Sequence, residues 1–214
     1  MAEETSFKTL VADSVATGEF VDRRSRFLAQ IVHVSSVAEA EAHLARVQSL
    51  YHDARHNVPA WILADGRERC SDDGEPSRTA GAPVLEVLHA AGLRDVSCVV
   101  TRYFGGTLLG TGGLIRAYSA AAQAAVDMAC EQGLIREMTL VVTVVVDLPY
   151  ALYDRVIRLV GDEGGRVTDS LFAEDVQLTC VFRAGKEETF VGRLRELASG
   201  EDLARVGEPR WGEL

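Results

Sequence analysis

The first half of the chain alternates helical and strand-like patterns of apolar residues. Apolar side chains recur every three to four positions behind the capping-box pair Ser36 and Glu39, which predicts a helix over residues 37–51. A loose alternation before this helix predicts a strand at 27–34, and a short apolar run after it predicts another at 58–63. These elements indicate a mixed α and β domain.

The region that follows contains turns, two helices and one strand. Its last strand is rich in β-branched and aromatic residues and is expected to end at Gly105. The predicted elements are a polar, turn-rich segment at 65–83, a short helix from Pro83 to Ala91, a strand over 96–104, and an alanine-rich helix that starts near Gly113 and ends near Gly133.

The second half of the chain has its own succession of elements. The pattern predicts a strand at 139–146, a helix whose apolar face covers 152–160, strands at 166–172 and 175–183, a helix at 190–198, and an edge strand within 203–211. The order β-α-β-β-α-β is that of a ferredoxin-like split βαβ sandwich. We therefore predict a two-domain α+β protein with a first domain at 1–136 and a ferredoxin-like domain at 137–214.

The composition is that of an ordinary globular protein, with 47% hydrophobic and 25% charged residues. No stretch approaches the length of about 18 apolar residues that suggests a membrane span, and the first five residues are acidic, unlike a secretory signal. We expect a cytoplasmic protein with no membrane partner. Its four cysteines are scattered singly, which favours reduced thiols.

The formal net charge of -10 limits the ligands that can be expected. Acidic residues outnumber basic ones in both halves of the chain, so a polyanion is repelled at long range. Binding of a nucleic acid or a phosphate must therefore come from a local basic patch.

The region from Thr101 to Arg116 carries five glycines within nine positions, between the predicted strand and the predicted helix. Glycines let backbone N–H groups approach a ligand, and a helix start offers unpaired donors to an anion. Arg102 and Arg116 flank the glycines and can contribute charge-assisted bonds. The alternative is a tight strand-to-helix crossing that needs small residues for packing. The pattern matches neither the P-loop nor the Rossmann fingerprint.

An acidic turn places Asp72, Asp73 and Glu75 within four positions. Hard cations such as Mg²⁺ prefer oxygen ligands of this kind, although solvation at a surface turn also explains such a cluster. No metal is favoured over the surface turn, because neither the calcium-loop spacing nor a distal ligand is present.

Four motifs occur in an order typical of one protein family. The chain resembles the YigZ/IMPACT family in Ser25-Arg26-Phe27, Asp53-Ala54-Arg55-His56, Ser71-Asp72-Asp73-Gly74-Glu75-Pro76, and Thr101-Arg102-Tyr103-Phe104-Gly105-Gly106 continued by Leu109-Gly110-Thr111-Gly112-Gly113-Leu114. The resemblance covers nearly the whole chain. The sequence departs from the bacterial pattern in having Phe104 at the place of a second tyrosine and Asn57 at the place of a second histidine.

The resemblance implies a first domain of the ribosomal-protein type, similar to domain IV of elongation factor G, and a second domain similar to domain V of that factor. It also implies a role in regulation, since the eukaryotic namesake of the family restrains a translation-control kinase by competing for its activator. Bacterial members have no settled activity, and no residues here justify the proline dipeptidase label that some carry.

We therefore predict a non-catalytic binding or regulatory protein that acts near translation, without a cofactor, on RNA, the ribosome or a translation factor. One alternative is a Mg²⁺-dependent hydrolase or phosphoryl-transfer enzyme that uses Asp72, Asp73 and Glu75. Another is a protein-interaction module that docks through the C-terminal sheet. The oligomeric state is left open. The candidate anion-binding residues are Arg26, Arg55, His56, Arg102, Tyr103, Gly105, Gly106, Gly110, Gly112, Gly113 and Arg116.

Overall fold

The computed structural model of the chain describes residues 6–214. They fall into two compact units, Phe7–Glu137 and Met138–Leu214, with Ser6 grouped with the second. Within residues 6–214, no helix combines the length and the hydropathy that crossing a bilayer requires. Each unit is built around its own sheet.

The first unit contains a five-stranded antiparallel sheet in the order β2-β3-β6-β4-β5. Its elements are β1 (Ser6–Leu10), β2 (Val15–Asp22), β3 (Ser25–His33), α1 (Val37–Leu50), β4 (His56–Ile62), β5 (Glu68–Cys70), α2 (Gly81–Ala90), β6 (Val96–Tyr103) and α3 (Gly110–Glu131). Strand β6 lies at the centre, and seven of its eight residues are buried.

Helices cover both faces of this sheet. Helices α2 and α3 pack on one face, where Phe27 and Tyr118 meet edge to face with ring centroids 5.0 Å apart inside the main core. Helix α1 packs on the other face over a smaller cluster that includes Val32, Trp61 and Leu63. The sheet is therefore buried on both sides, and its loops and strand ends are the places where polar side chains can reach a ligand.

The second unit contains the strands that complete the β-α-β-β-α-β order. Its elements are β7 (Ile135–Leu148), a 3₁₀ turn (Tyr150–Leu152), α4 (Tyr153–Asp162), β8 (Arg166–Phe172), β9 (Val176–Arg183), α5 (Glu187–Leu197), β10 (Ala204–Val206) and β11 (Arg210–Gly212). Four strands form an antiparallel sheet in the order β10-β7-β9-β8, and β11 also pairs with β7. Strand β1 is a further neighbour of β7, which begins inside the first unit.

The predicted α+β class and the predicted order of elements in the second half are confirmed. Two boundaries near the glycines were wrong. Strand β6 ends at Tyr103, and α3 begins at Gly110, three residues before the predicted start. Three of the five glycines, Gly110, Gly112 and Gly113, therefore lie in the first turn of a helix. The predicted last edge strand is divided into β10 and β11.

Candidate functional site

The register of three strands brings separate motifs to one face of the first sheet. In the antiparallel pairs, Phe27 on β3 and His56 on β4 both lie opposite Arg102 on β6. Directly paired residues point to the same face, and the Arg102 guanidinium carbon lies 5.4 Å from the centre of the Phe27 ring. His56 and Arg102 therefore face the side that α3 covers.

Arg102 belongs to a buried polar cluster with Glu75 and Tyr118. One oxygen of Glu75, Oε1, accepts hydrogen bonds from Arg102 Nη1 at 2.5 Å and from the Tyr118 hydroxyl at 2.8 Å. The Arg102 side chain is 7% exposed and that of Glu75 is 4% exposed. Burial and the nearby Glu75 carboxylate raise the pKa of the Tyr118 phenol, which keeps it a hydrogen-bond donor.

The guanidinium of Arg102 is only partly satisfied by this cluster. Its Nε atom is buried and has no hydrogen-bond partner among residues 6–214. Buried N–H groups are nearly always paired in folded proteins, and an exception calls for an explanation such as a missing ligand or solvent molecule. Arg102 therefore has a donor available for a molecule that enters the site.

The acidic turn is held by hydrogen bonds from the protein itself. The Asp72 carboxylate accepts from the N–H groups of Arg78, Ala80 and Gly81 at 2.7 to 3.1 Å and so caps the start of α2. Burial opposes the ionisation of Asp72, but these N–H groups lower its pKa overall. Asp73 accepts from the Asn57 N–H at 2.7 Å.

These bonds give the three acidic residues separate structural partners. Asp72 caps a helix, Asp73 is tied to β4, and Glu75 is paired with Arg102. Across residues 6–214, no group of three or more histidine, cysteine or acidic side chains is arranged to hold a metal ion. The acidic turn therefore positions His56 and Glu75 through contacts within the protein.

His56 is fixed by the same turn. Its Nδ1 lies 2.6 Å from the Asp73 carbonyl oxygen, which can only accept, so Nδ1 donates the hydrogen. Its Nε2 lies 3.9 Å from Glu75 Oε1. The imidazole is thus oriented by a backbone contact and stands beside the Arg102–Glu75 pair.

The start of α3 lacks a side-chain cap. Leu109 occupies the N-cap position and makes no capping bond, and the first turn contains no acidic residue. The first N–H groups of an α-helix have no intrahelical partner and carry the positive end of the helix dipole. A helix of 22 residues therefore begins here with free donors.

The glycines differ in why they are needed. A Cβ on Gly105 would lie 2.1 Å from the backbone of Arg24, so close packing requires this glycine. Gly106 and Gly110 adopt positive φ angles of 84° and 71°, which side chains disfavour. Gly112 has no such angle and nothing within 4 Å of an added Cβ, whereas Gly113 meets only the Leu109 side chain, at 3.0 Å. Close packing therefore fully explains the glycine at position 105.

A single cavity joins three of the four sequence motifs. We call it the motif cavity; its volume is about 410 Å³, and its lining residues are Arg55, His56, Gly74, Glu75, Pro76, Arg102, Phe104, Leu108, Leu109, Gly110, Thr111 and Leu114. It contains the predicted residues Arg55, His56, Arg102 and Gly110. The start of α3 forms one side of this cavity.

Seven of the eleven predicted residues do not line the cavity: Gly105, Gly106, Gly112 and Gly113 of the glycine stretch, and Arg26, Tyr103 and Arg116. Arg26 pairs with Tyr103 across the strands, on the face opposite Arg102, and forms an exposed ion pair with Glu19 at 2.9 Å. The Tyr103 hydroxyl donates to Asp53 at 2.8 Å, which raises the pKa of the phenol. Arg116 is an exposed residue of α3 whose guanidinium lies 3.2 Å from the Asp22 carboxylate. The predicted basic face is therefore divided between two sides of the sheet.

Several site residues were not predicted. Phe104 and Leu108 line the cavity with exposed apolar side chains, and Tyr118 completes the cluster around Glu75. Tyr118 could be placed on the apolar face of the helix from its spacing, but its hydroxyl partner gives no sequence signal. In the sequence, Phe104 stands out only because the bacterial family pattern has a tyrosine at this position.

Two of the four thiols are poorly suited to nucleophilic chemistry. All four cysteines are free, and burial raises the pKa of Cys98 to about 12 and that of Cys180 to about 11. The thiolate is the nucleophilic form, so these two groups are unreactive near neutral pH.

Comparison with known proteins agrees with the motif pattern. Residues 23–126 match the family model of the Impact N-terminal domain, and residues 146–201 match a domain of unknown function (DUF1949). The chain is 32% identical over 182 residues to IMPACT family member YigZ of Escherichia coli (strain K12), covering 83% of this chain and 87% of that protein. The chain belongs to the YigZ/IMPACT family.

Other relatives extend this result. An IMPACT family member of Haemophilus influenzae is 32% identical over 208 residues, covering 93% of this chain and 98% of that protein. Protein IMPACT of Mus musculus is 32% identical over 118 residues, which is 51% of this chain and 36% of the mouse protein. A crystal structure of a hypothetical protein matches with a TM-score of 0.59 and 28% identity, over 98% of both chains.

Proposed function

We propose that this YigZ/IMPACT protein is a cytoplasmic, non-catalytic binding protein that acts near translation and binds RNA through the motif cavity. The observation that carries the proposal is the buried Nε of Arg102, which has no hydrogen-bond partner and belongs to a side chain lining that cavity. A phosphate oxygen is a strong acceptor for such a donor.

The start of α3 supports the same ligand. Gly110 and Thr111 line the cavity in the first turn of a helix whose N-cap residue, Leu109, makes no side-chain capping bond. Free N–H groups and the positive end of a helix dipole favour a phosphate at this place. The start of α3 and the Arg102 Nε donor thus lie at the same cavity, and each can donate a hydrogen bond to a phosphate oxygen.

The net charge of the chain explains why a binding site for RNA has to be a local basic patch. The formal net charge of -10 repels a polyanion at long range. Arg55 is exposed and lines the cavity, and it has no ion pair with any residue in the part of the chain that the structure describes. This cation can contribute to phosphate binding without first breaking an ion pair.

Two features favour binding over catalysis. Each of the three carboxylates of the acidic turn accepts a hydrogen bond from the protein, and no group of three such side chains within residues 6–214 is arranged to hold a metal ion, which counts against the Mg²⁺-dependent alternative. The buried thiols have raised pKa values, which makes them poor nucleophiles.

The proposal is tested by the salt dependence of RNA binding. Fluorescence anisotropy of a labelled short single-stranded RNA should give an affinity that falls steeply between about 50 and 200 mM salt. Arg55→Ala should lower the affinity and reduce the salt slope by about 1. Arg205→Ala, which removes an exposed arginine of the second unit, is the matched control and should change neither. Affinity that is insensitive to salt and to Arg55→Ala would refute the proposal.

A second candidate function is protein docking through the second unit. Tyr150, Leu171 and Phe172 are each more than half exposed, and the Tyr150 and Phe172 rings stack with centroids 6.3 Å apart. Glu174 and Asp175 follow in the adjacent turn, which favours a basic polypeptide as the partner. An arginine-rich peptide should bind and should lose affinity on Phe172→Ala. Equal binding to the variant would remove this candidate.

A further inference from the structure

The motif cavity has two chemically different walls. Arg55, Arg102 and the first turn of α3 form a wall suited to an anion. Phe104 and Leu108 form an apolar wall, and they are 41% and 80% exposed. A site for phosphate alone has no use for an exposed aromatic ring, so the second wall indicates a ligand with an apolar part.

The Phe104 ring is suited to stacking. The Arg102 guanidinium carbon lies 5.7 Å from its centre, so the same arginine that offers a free Nε also contacts the ring. Unpaired bases stack on aromatic rings and on guanidinium planes. A nucleotide can therefore place its phosphate and its base within reach of one arginine.

Glu75 adds a third chemical requirement. Glu75 lines the cavity, and the hydrogen bonds from Arg102 and Tyr118 both use its Oε1. A carboxylate repels a phosphate but accepts hydrogen bonds from hydroxyl groups. The 2′-hydroxyl of a ribose is a donor of this kind, and it is the group by which a protein distinguishes RNA from DNA.

We propose that the motif cavity holds one unpaired ribonucleotide, with its phosphate at the start of α3 and Arg102, its base against Phe104, and its ribose hydroxyls toward Glu75. The volume of about 410 Å³ lies in the range of roughly 300 to 1,000 Å³ of small-ligand sites. A base paired inside a duplex is not available to this cavity. The inference rests on the proposed function and specifies which part of an RNA the site takes.

The test compares small ligands that contain successive parts of a nucleotide. Calorimetric titrations of the full chain would use AMP, dAMP, ribose 5-phosphate, O-phosphoserine and inorganic phosphate. We expect AMP to bind about tenfold or more tightly than ribose 5-phosphate, which is the size of a base-stacking contribution, and more tightly than dAMP.

Variants assign this difference to the apolar wall. Phe104→Ala should abolish the advantage of AMP over ribose 5-phosphate, and Phe104→Trp should retain it. Ile115→Ala is the matched control, because Ile115 is 42% exposed on α3 and does not line the cavity. The control should bind AMP as the unaltered chain does.

The outcomes separate this inference from the proposed function. If inorganic phosphate or O-phosphoserine binds as tightly as AMP, or Phe104→Ala leaves the AMP advantage intact, the nucleotide site is refuted. Equal binding of AMP and dAMP refutes the ribose assignment. In each case, RNA binding that still depends on salt and on Arg55 leaves the proposed function standing. Absence of binding to both RNA and AMP overturns both.

Discussion

Replacing Glu75 by Gln removes a buried negative charge while nearly preserving the shape of the side chain. The Glu75 carboxylate accepts from Arg102 Nη1 and from the Tyr118 hydroxyl, and both charged side chains are more than nine-tenths buried. The variant keeps an oxygen acceptor but leaves the Arg102 charge in the interior without a counterion. We therefore expect a large loss of stability in the first unit.

The expected size follows from the burial of the pair. Breaking a buried ion pair by altering one partner typically costs about 3 to 5 kcal/mol, since the remaining charge is left uncompensated. The free energy of unfolding in urea changes by about 1 to 3 kcal/mol per molar denaturant. Glu75→Gln should therefore lower the urea midpoint of the first unit by roughly 1 to 5 M.

An internal comparison makes the prediction testable. Trp61 is buried in the first unit and Trp211 lies in the second, so fluorescence in a Trp211→Phe background follows the first unit. Glu19→Gln removes a carboxylate from an ion pair with Arg26 whose side chains are about half exposed, and it should leave the urea midpoint nearly unchanged, because solvent screens such a pair. Equal shifts for the two variants would refute the reasoning that burial makes the Glu75 pair important.

Two further predictions concern the glycines and a buried histidine. Gly105→Ala should severely destabilise the first unit, because its Cβ would lie 2.1 Å from the Arg24 backbone, whereas Gly112→Ala has open space and should raise stability by up to about 1 kcal/mol in urea unfolding. Burial lowers the pKa of His43 from 6.5 to about 4, so stability should be full above about pH 6.5 and fall by up to about 3 kcal/mol toward pH 4. His43→Gln should flatten that pH dependence, and an unchanged slope would contradict the assignment.

The elements that the sequence predicted well carry strong local signals. Helix α1 begins where the capping pair indicated, with the Ser36 side chain accepting from the Glu39 N–H. Strands β1, β2 and β5 were not predicted. In β2 only Ala16 is fully buried, and β5 has three residues, so neither shows a clear alternation of apolar and polar positions. These strands form because they pair with neighbouring strands, and not because their own sequence pattern favours a strand.

The start of α3 was placed too late for a physical reason. Gly110, Gly112 and Gly113 are poor helix formers, and local propensity therefore favours a loop over residues 110–113. The helix continues through them to Gly110 in the structure. Its buried alanine-rich face packs on the sheet, and this packing outweighs the weak propensity of the first turn.

The candidate site was predictable in its motifs but not in its pairing. The clustering of Arg55, His56 and Arg102 followed from recognising motifs that belong together. Arg26 and Phe27 are adjacent in β3 and so point to opposite faces, but which of them shares a face with Arg102 is set by the register with β6. The bond from Arg102 to Glu75 joins residues 27 positions apart, and no local spacing reveals it.

Gly112 affects both the stability of α3 and the proposed phosphate site at its start. It has neither a positive φ nor a close neighbour, so packing and backbone conformation give no reason for a residue that costs about 1 kcal/mol relative to alanine in a helix. Glycine at position 112 has a functional reason if a ligand approaches the backbone at the start of α3, because a side chain there would stand in its way. Gly112→Ala should then bind RNA more weakly although it is more stable. Greater stability with unchanged RNA affinity would leave the glycine without a functional explanation and would weaken the assignment of the phosphate to this helix end.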